Sequence, residues 1–292
     1  MIEPVELVRR DMNVRRVAIL GVGLIGGSIG KALRQIADAP EVVGWDASPE
    51  SLMKAIELGA IDLEAPTFEE AVAEADLVII ATPITFTVSL IQSIATIIGS
   101  EVVVTDVGST KERICSEADK VLRGSFVGGH PMAGSEQRGV QASRSDLLNG
   151  ANWLITPTEL SSHAAIERVC WLAHSVNARV RLCSPSDHDS MVSALSHLPH
   201  LLAYSLSQTA SEVVPDEWKD IAAGSFRDCA RVALSDPDLW TRILMDNRKT
   251  LIANTQETIK WLEQAENALK EEDQEALHQL LFEAHTNRKK FR

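Results

Sequence analysis

The residues with the clearest chemical potential are histidines, a serine and an arginine. His130 lies in Val127-Gly-Gly-His-Pro-Met-Ala-Gly-Ser-Glu136, at the end of an apolar strand and free of bulky neighbours. An imidazole so placed can accept or return a proton near neutral pH, although a lone histidine also serves structurally. Asp106-Val-Gly-Ser-Thr-Lys111 leaves another strand end. There Asp106 can cap or orient, Ser109 can cap the following helix, and Lys111 reads as a solvated charge. In Ser196-His-Leu-Pro-His200, His197 and His200 are three residues apart and share a helix face. They could bind a metal, but no cysteine or carboxylate completes a zinc pattern, so an anion or carbonyl site fits better than a pair of core histidines. Arg231 follows Ala230 and precedes Val232, Ala233 and Leu234. An arginine among apolar residues needs an acid, either Asp228 one turn back or a substrate carboxylate.

These side chains need a scaffold, and the first part of the chain supplies one. Val17 to Leu20 is a short apolar strand that turns at Gly21, after which Leu24, Ile25, Ile29 and Leu33 recur at helix period. Gly21, Gly23 and Gly26 fall on the spacing G-x-G-x-x-G. The first makes the turn, the second lets the backbone approach a pyrophosphate, and the third lets helix pack on strand. The amides of the helix start, Leu24 and Ile25 included, point toward the phosphate. The second strand, Glu41 to Trp45, ends in Asp46, placed to bond ribose hydroxyls. A 2′-phosphate beside that carboxylate meets a repulsion of about 1–4 kcal/mol, and no arginine follows to offset it, so NAD is expected rather than NADP. Thr82 and Pro83, after a further buried strand, flank the same dinucleotide.

Strands then alternate with helices, which specifies a parallel, doubly wound sheet of the Rossmann type. Ser48-Pro49 and Thr67-Phe-Glu-Glu70 are helix starts. The strands Ala151 to Thr156 and Arg179 to Cys183 extend the sheet. Beyond Ser184-Pro-Ser-Asp-His188 the pattern is helical, over Met191 to Ala210, Asp220 to Ala233, Leu239 to Leu269 and Glu275 to Lys290. The expected architecture is therefore an α/β Rossmann doubly wound parallel sheet over residues 1–183, opening with a leader segment over 1–14. An all-α C-terminal domain over 184–292 follows, which closes a substrate site. Its long apolar-striped helices suggest a homodimer.

Composition bounds the partners. The 292 residues carry 28 Lys plus Arg against 41 Asp plus Glu, a net charge of -13. That acidity argues against nucleic acid and anionic membranes but not against small anionic metabolites. Cys115, Cys170, Cys183 and Cys229 form no C-x-x-C pair and read as reduced thiols of a cytoplasmic protein. The N-terminus lacks the apolar run of a signal peptide, and no stretch has the length needed to span a bilayer.

The motifs Gly21-Val-Gly-Leu-Ile-Gly-Gly-Ser28, Asp106-Val-Gly-Ser-Thr-Lys111, Gly129-His-Pro-Met-Ala-Gly-Ser-Glu136, Ser196-His-Leu-Pro-His200, and Asp228-Cys-Ala-Arg231 with Ser235-Asp-Pro237 resemble the prephenate/arogenate dehydrogenases of tyrosine biosynthesis. The resemblance runs from Val17 to about Trp261. It implies NAD-dependent oxidative decarboxylation of a cyclohexadienol, with prephenate favoured over arogenate because His197 and His200 suit a keto acid. By the same resemblance His130 is the catalytic histidine that bonds the ring hydroxyl, and Ser109 helps orient that hydroxyl. Arg231 binds a substrate carboxylate, His197 and His200 line the pocket, and Glu136 and Trp240 fall on positions linked to gating and closure. It includes no chorismate mutase before the first strand and no C-terminal ACT domain, which leaves tyrosine feedback through such a domain in doubt. A β-hydroxyacid dehydrogenase would place a catalytic lysine in the second domain, yet no lysine lies between Lys120 and Lys219. A non-enzymatic NAD sensor would need neither His130 nor Arg231.

Overall fold

The structure, a computed structural model, describes residues 14–134 and 137–291. The leader expected over residues 1–14 falls outside the described residues except for Val14, which is buried.

The chain begins β1 (Arg16–Leu20), α1 (Leu24–Leu33), β2 (Glu41–Trp45), α2 (Pro49–Glu57), β3 (Leu63–Glu64), α3 (Phe68–Val72), β4 (Leu77–Ile80), α4 (Ile84–Ile94), β5 (Val103–Asp106) and α5 (Glu112–Leu122). These five strands form one parallel sheet in the order β3-β2-β1-β4-β5. Alternate residues of β1 enter different cores, Val17 and Ile19 on one face and Ala18 and Leu20 on the other. A strand covered on both sides must be apolar at every position, which is why β1 and β4 show no polar alternation. The expected helix starts are capped as their chemistry requires. The Ser48 hydroxyl accepts from the Ser51 amide at 3.2 Å, and Thr67 accepts from Glu70 at 3.2 Å.

A parallel bridge between Val104 and Phe126 leads into a second sheet. It contains β6 (Gly128–Pro131), β7 (Asn152–Thr156) and β8 (Arg179–Leu182), with α6 (His163–Ser175) between the last two. β7 runs antiparallel to β6 and parallel to β8, so the extension of the sheet is mixed. Among its described residues the long return from Pro131 to Asn152 has a 3-10 turn and no crossover helix, and the chain comes back in the opposite direction. β6 also continues one residue past His130, so that histidine is a strand residue opposite Leu154 rather than a loop residue beyond the strand.

The remainder is helical: α7 (Pro185–Val192), α8 (Leu198–Val213), α9 (Gly224–Ala230), α10 (Pro237–Asp246), α11 (Arg248–Lys270) and α12 (Gln274–Arg288). Ser184 caps α7 through the Asp187 amide. Between α7 and α8 lies a π turn, Ser193–His197, immediately before Leu198 and Pro199. Proline has no amide to donate into the helical ladder, and a wide turn next to it accommodates the missing bond. The single helix expected over 239–269 is two, broken at Asn247. The Asn247 side chain is buried and bonded inward, and its backbone departs from helical angles.

Among the described residues no helix is long and apolar enough to cross a membrane. The helical part leaves several large apolar side chains exposed, among them Val213, Trp218, Leu262, Leu269 and Phe282.

Candidate active site

The glycine turn has the local structure its spacing calls for. Gly21 has φ +99°, a conformation that a side chain resists, and a Cβ there would lie 2.6 Å from the Ala81 carbonyl oxygen. A Cβ on Gly26 would lie 2.0 Å from the Gly21 carbonyl, so this residue lets α1 press onto β1. A Cβ on Gly23 would meet nothing within 4 Å. That empty approach lies at the start of α1, where the first amides, including those of Leu24 and Ile25, lack helical acceptors and the helix dipole is positive.

Asp46 sits against the same turn. Its carboxylate accepts from the Val22 amide at 3.0 Å and from the Ser48 amide at 2.9 Å. Thr82 and Pro83 lead from β4 into α4 on the neighbouring side. The Thr82 hydroxyl oxygen is buried and has no hydrogen-bond partner among the described residues. A buried hydroxyl without a partner is costly, and a bound polar ligand would satisfy it. These residues together fit a dinucleotide: an open backbone cradle, free amides, a ribose acid and a waiting hydroxyl.

The segment after β5 departs from its sequence reading. Lys111 is completely buried and pairs with Asp106, so it is not a solvated charge. Asp106 also accepts from the amides of Gly108 and Gly129, at 2.8 and 3.2 Å, which ties the end of β5 to β6 just before His130. Nor does Ser109 cap α5. That helix starts at Glu112, and its cap is the Asp189 carboxylate from α7, which accepts from the Lys111 and Glu112 amides at 2.7 and 2.9 Å. Ser109 is left half-buried on the loop between Asp106 and Lys111.

His130 faces α7. Its Nδ1 lies 2.9 Å from Nε2 of His188, and the Nδ1 of His188 lies 2.8 Å from Asp189. His188 has no exposed surface and Asp189 has 3%. Burial first, then the neighbouring His188, Lys111 and His197, hold the His130 imidazole well below its ordinary pKa, and burial likewise lowers His188. Burial alone would raise the Asp189 carboxyl. Hydrogen bonds from His188 and from the Glu112 and Lys111 amides outweigh it and keep Asp189 below the usual carboxylate range.

The other histidine pair splits by environment. His197 is buried, its pKa pulled down to about 4 by desolvation, and Asn247 Nδ2 lies 3.2 Å from its Nδ1. The same Asn247 amide group donates to the Asp189 carbonyl at 2.7 Å. His200, half-buried, donates from Nδ1 to the Ser196 carbonyl at 2.9 Å and stacks on Trp240 with ring centroids 3.3 Å apart. Trp240 also meets His197 edge-on at 6.1 Å. Burial lowers the His200 pKa, and the positive charge of Arg231 lowers it further.

Arg231 itself is exposed, contrary to its apolar sequence neighbours. α9 ends at Ala230 and the chain tightens into a 3-10 turn over Arg231–Leu234, which swings these residues outward and leaves Leu234 84% exposed. Glu136 lies outside the described residues. Sequence reasoning missed His188, Asp189, Lys111 and Asn247 as members of the site. The only local signal for the first two was a His-Asp pair directly after a Ser-Pro helix start.

A glycine-turn sheet and a helical domain that brings histidines to its strand ends define a dinucleotide-dependent oxidoreductase. Two family models divide the chain between them: "Prephenate dehydrogenase, nucleotide-binding domain" matches residues 29–182 and "Prephenate dehydrogenase, dimerization domain" matches 184–283. A prephenate dehydrogenase of Bacillus subtilis (strain 168) is 39% identical over 91% of this chain and 74% of the relative. The structure of an A. aeolicus prephenate dehydrogenase in complex with hydroxyphenyl propionate and NAD+ superposes with a TM-score of 0.89 at 30% identity, covering 97% of this chain and 100% of the other. A Synechocystis arogenate dehydrogenase gives 0.83 at 26% identity, over 95% and 100%. The chain belongs to the prephenate dehydrogenase family.

Proposed function

We propose that this site carries out NAD-dependent oxidative decarboxylation of prephenate to 4-hydroxyphenylpyruvate, with His130 as the proton-transfer group. The chain is an NAD-dependent oxidoreductase of tyrosine biosynthesis acting on a small molecule, and the proposal concerns how its residues divide the work. The observation that carries it is the placement of His130 on β6, its Nδ1 2.9 Å from His188 Nε2, tied through Gly129 and Asp106 to the sheet that bears the glycine turn.

Gly21, Gly23, Leu24, Ile25, Gly26, Asp46, Thr82 and Pro83 would hold NAD+, which would supply the acceptor for the hydride. His130 takes the proton of the ring hydroxyl as the carbon that bears it loses hydride. The ring carboxylate then leaves as carbon dioxide, its bonding electrons aromatise the ring, and the proton returns from His130 to the phenolic oxygen. Positioned proton transfer of this kind contributes about 10²–10⁴-fold. Ser109 orients the hydroxyl from the β5–α5 loop. Arg231 grips a substrate carboxylate, and His197, His200 and Trp240 line the pocket, with Trp240 at its closure.

Prephenate carries a ketone where arogenate carries an ammonium. His197 and His200, both held neutral, suit the ketone, and the B. subtilis relative is a prephenate dehydrogenase. The arogenate dehydrogenase among the solved neighbours keeps arogenate as the second reading. Absorbance at 340 nm with each substrate and NAD tests both. Faster reduction with prephenate is expected, and no reduction with either substrate despite NAD binding would overturn the assignment.

The division into a nucleotide-binding domain over 1–183 and a helical domain over 184–292 is supported by the start of α7 at the Ser184 cap and by the junction of the two family matches. The exposed apolar side chains of α8, α11 and α12, together with the dimerization-domain match, support a homodimer through the helical domain. Sedimentation at twice the chain mass is the expected result. The unpaired cysteines support a cytoplasmic location.

A further inference from the structure

The contacts of Asp189 extend into the site in one direction. Asp189 is ionised and can only accept, so the proton on His188 must sit on Nδ1, which leaves Nε2 of the neutral ring as an acceptor. The only hydrogen that can then fill the 2.9 Å contact is one on His130 Nδ1. His130 is left with a bare Nε2, the lone pair a base requires. Asp189 is itself fixed by the amides of Lys111 and Glu112, so it cannot rotate away from His188.

We propose that Asp189 and His188 are positioning residues that set the tautomer of His130, passing one donor direction through two imidazoles to leave Nε2 of His130 unprotonated. No net proton moves along the chain, and the carboxylate does not become protonated. The role parallels the aspartate that orients a base histidine in hydrolases, with a second ring inserted between them. It rests on the reading of His130 as the base.

The test compares substitutions in which direction and bulk disagree. Asp189→Asn keeps the shape but puts an amide nitrogen either against the Glu112 amide, with the direction kept, or against the Lys111 amide, where it donates to His188 Nδ1. The second placement reverses both rings and puts a proton on His130 Nε2, and nitrogen-15 shifts of the variant show which one it takes. His188→Gln changes the shape but keeps the direction, since Nε2–H can donate to Asp189 while Oε1 accepts from His130. For the full-length enzyme the expected result is a fall in kcat of at least about 100-fold in Asp189→Asn, as for other wrong-tautomer variants. The KM values for prephenate and NAD should stay within about threefold, while His188→Gln keeps kcat within about tenfold. A purely structural role predicts the opposite ranking, and Asp189→Asn retaining kcat within about threefold while His130 carries its proton on Nε2 would overturn the proposal. Should Asp189→Asn fail to fold or keep the wild-type tautomer, nitrogen-15 shifts of the wild-type imidazoles decide the matter. A protonated Nδ1 with a bare Nε2 on His130 supports the relay, and the reverse sinks it. His130→Ala serves as the separate control. Full turnover there refutes the base reading itself, whereas loss there alongside an active Asp189→Asn whose His130 is protonated on Nε2 refutes only the relay.

Discussion

Asp189, on the first helix of the C-terminal domain, lies 2.7 Å from the backbone amide of Lys111 and caps a helix of the nucleotide-binding sheet. The cap thus comes from the other domain. Asp246 at the end of α10 reinforces it by accepting from Thr110 and Arg113, and Arg138 pairs with Asp236 beside the pocket. Two helices of the helical domain, α7 and α10 through both its ends, therefore hold the loops that carry Ser109 and follow His130.

His130→Asn should lower kcat by about 10²–10⁴-fold while changing prephenate KM little, because the group lost acts on a proton and not on binding. Steady-state kinetics at 340 nm check this, and wild-type turnover would remove His130 from the mechanism.

Arg231→Ala should act mainly on KM. A forked, charge-assisted pair to a carboxylate holds ground state and transition state alike. Its loss is expected to raise prephenate KM at least tenfold, in line with about 1.5–3 kcal/mol for a hydrogen bond to a charged group. An unchanged KM would mean that the exposed guanidinium serves something other than substrate.

The two helix-side glycines should separate. Gly23→Ala adds a methyl that meets no protein atom, so melting should hardly change while NAD KM rises. Gly26→Ala drives a Cβ to 2.0 Å from a carbonyl oxygen and should destabilise the fold. Equal thermal shifts in the two variants would contradict this division between ligand space and packing.

Acid should unfold the protein through its histidines. The unfolded imidazoles bind protons near pH 6.5, whereas folded His130, His188 and His200 are lowered and His197 titrates at about 4. Between those values the unfolded chain binds more protons, so stability rises with pH and falls as pH drops through the window from 6.5 toward 4. Urea midpoints at pH 7.5, 6 and 5 measure it, and a flat series would show that these rings are not buried as described.

Lys111→Met should strand the buried Asp106 carboxylate and cost about 3–5 kcal/mol. Replacing both partners with apolar residues should restore much of that loss. A single variant as stable as wild type would argue that Asp106 is neutral in the fold.

The cofactor half of the site was legible because its logic is local. A strand, a glycine turn, a helix start and an acid are each read from a few adjacent residues, and Gly21 to Gly26 with Asp46 meet in space much as their spacing requires. The catalytic half is assembled over long separations, which a linear pattern does not encode. Lys111 looks like any helix-start cation until Asp106 and the packing around β6 enclose it. Asp189 looks like an acid of its own helix, yet it caps another one 77 residues back in the chain. Asn247 sits inside an uninterrupted helical periodicity, and only its inward amide, shared by Asp189 and His197, explains the break. The antiparallel β7 was hidden for a related reason: its pairing depends on a return loop whose residues carry no helix signal. Arg231 was misjudged from its neighbours, because local apolarity did not reveal that the chain leaves the α-helix at that residue.

The π turn at Ser193–His197 sets a limit on sequence drift. An α-helix advances about 100° per residue, and a π turn contains an extra residue that this rotation must absorb. If the segment relaxed to an ordinary helix at its present length, that residue would no longer be absorbed and α8 would rotate by about that angle relative to α7. His200 would then leave the face that carries Trp240, although every catalytic side chain would still be present in the sequence. The wide turn and the extra residue it absorbs are therefore coupled, and either can be lost only together with the other.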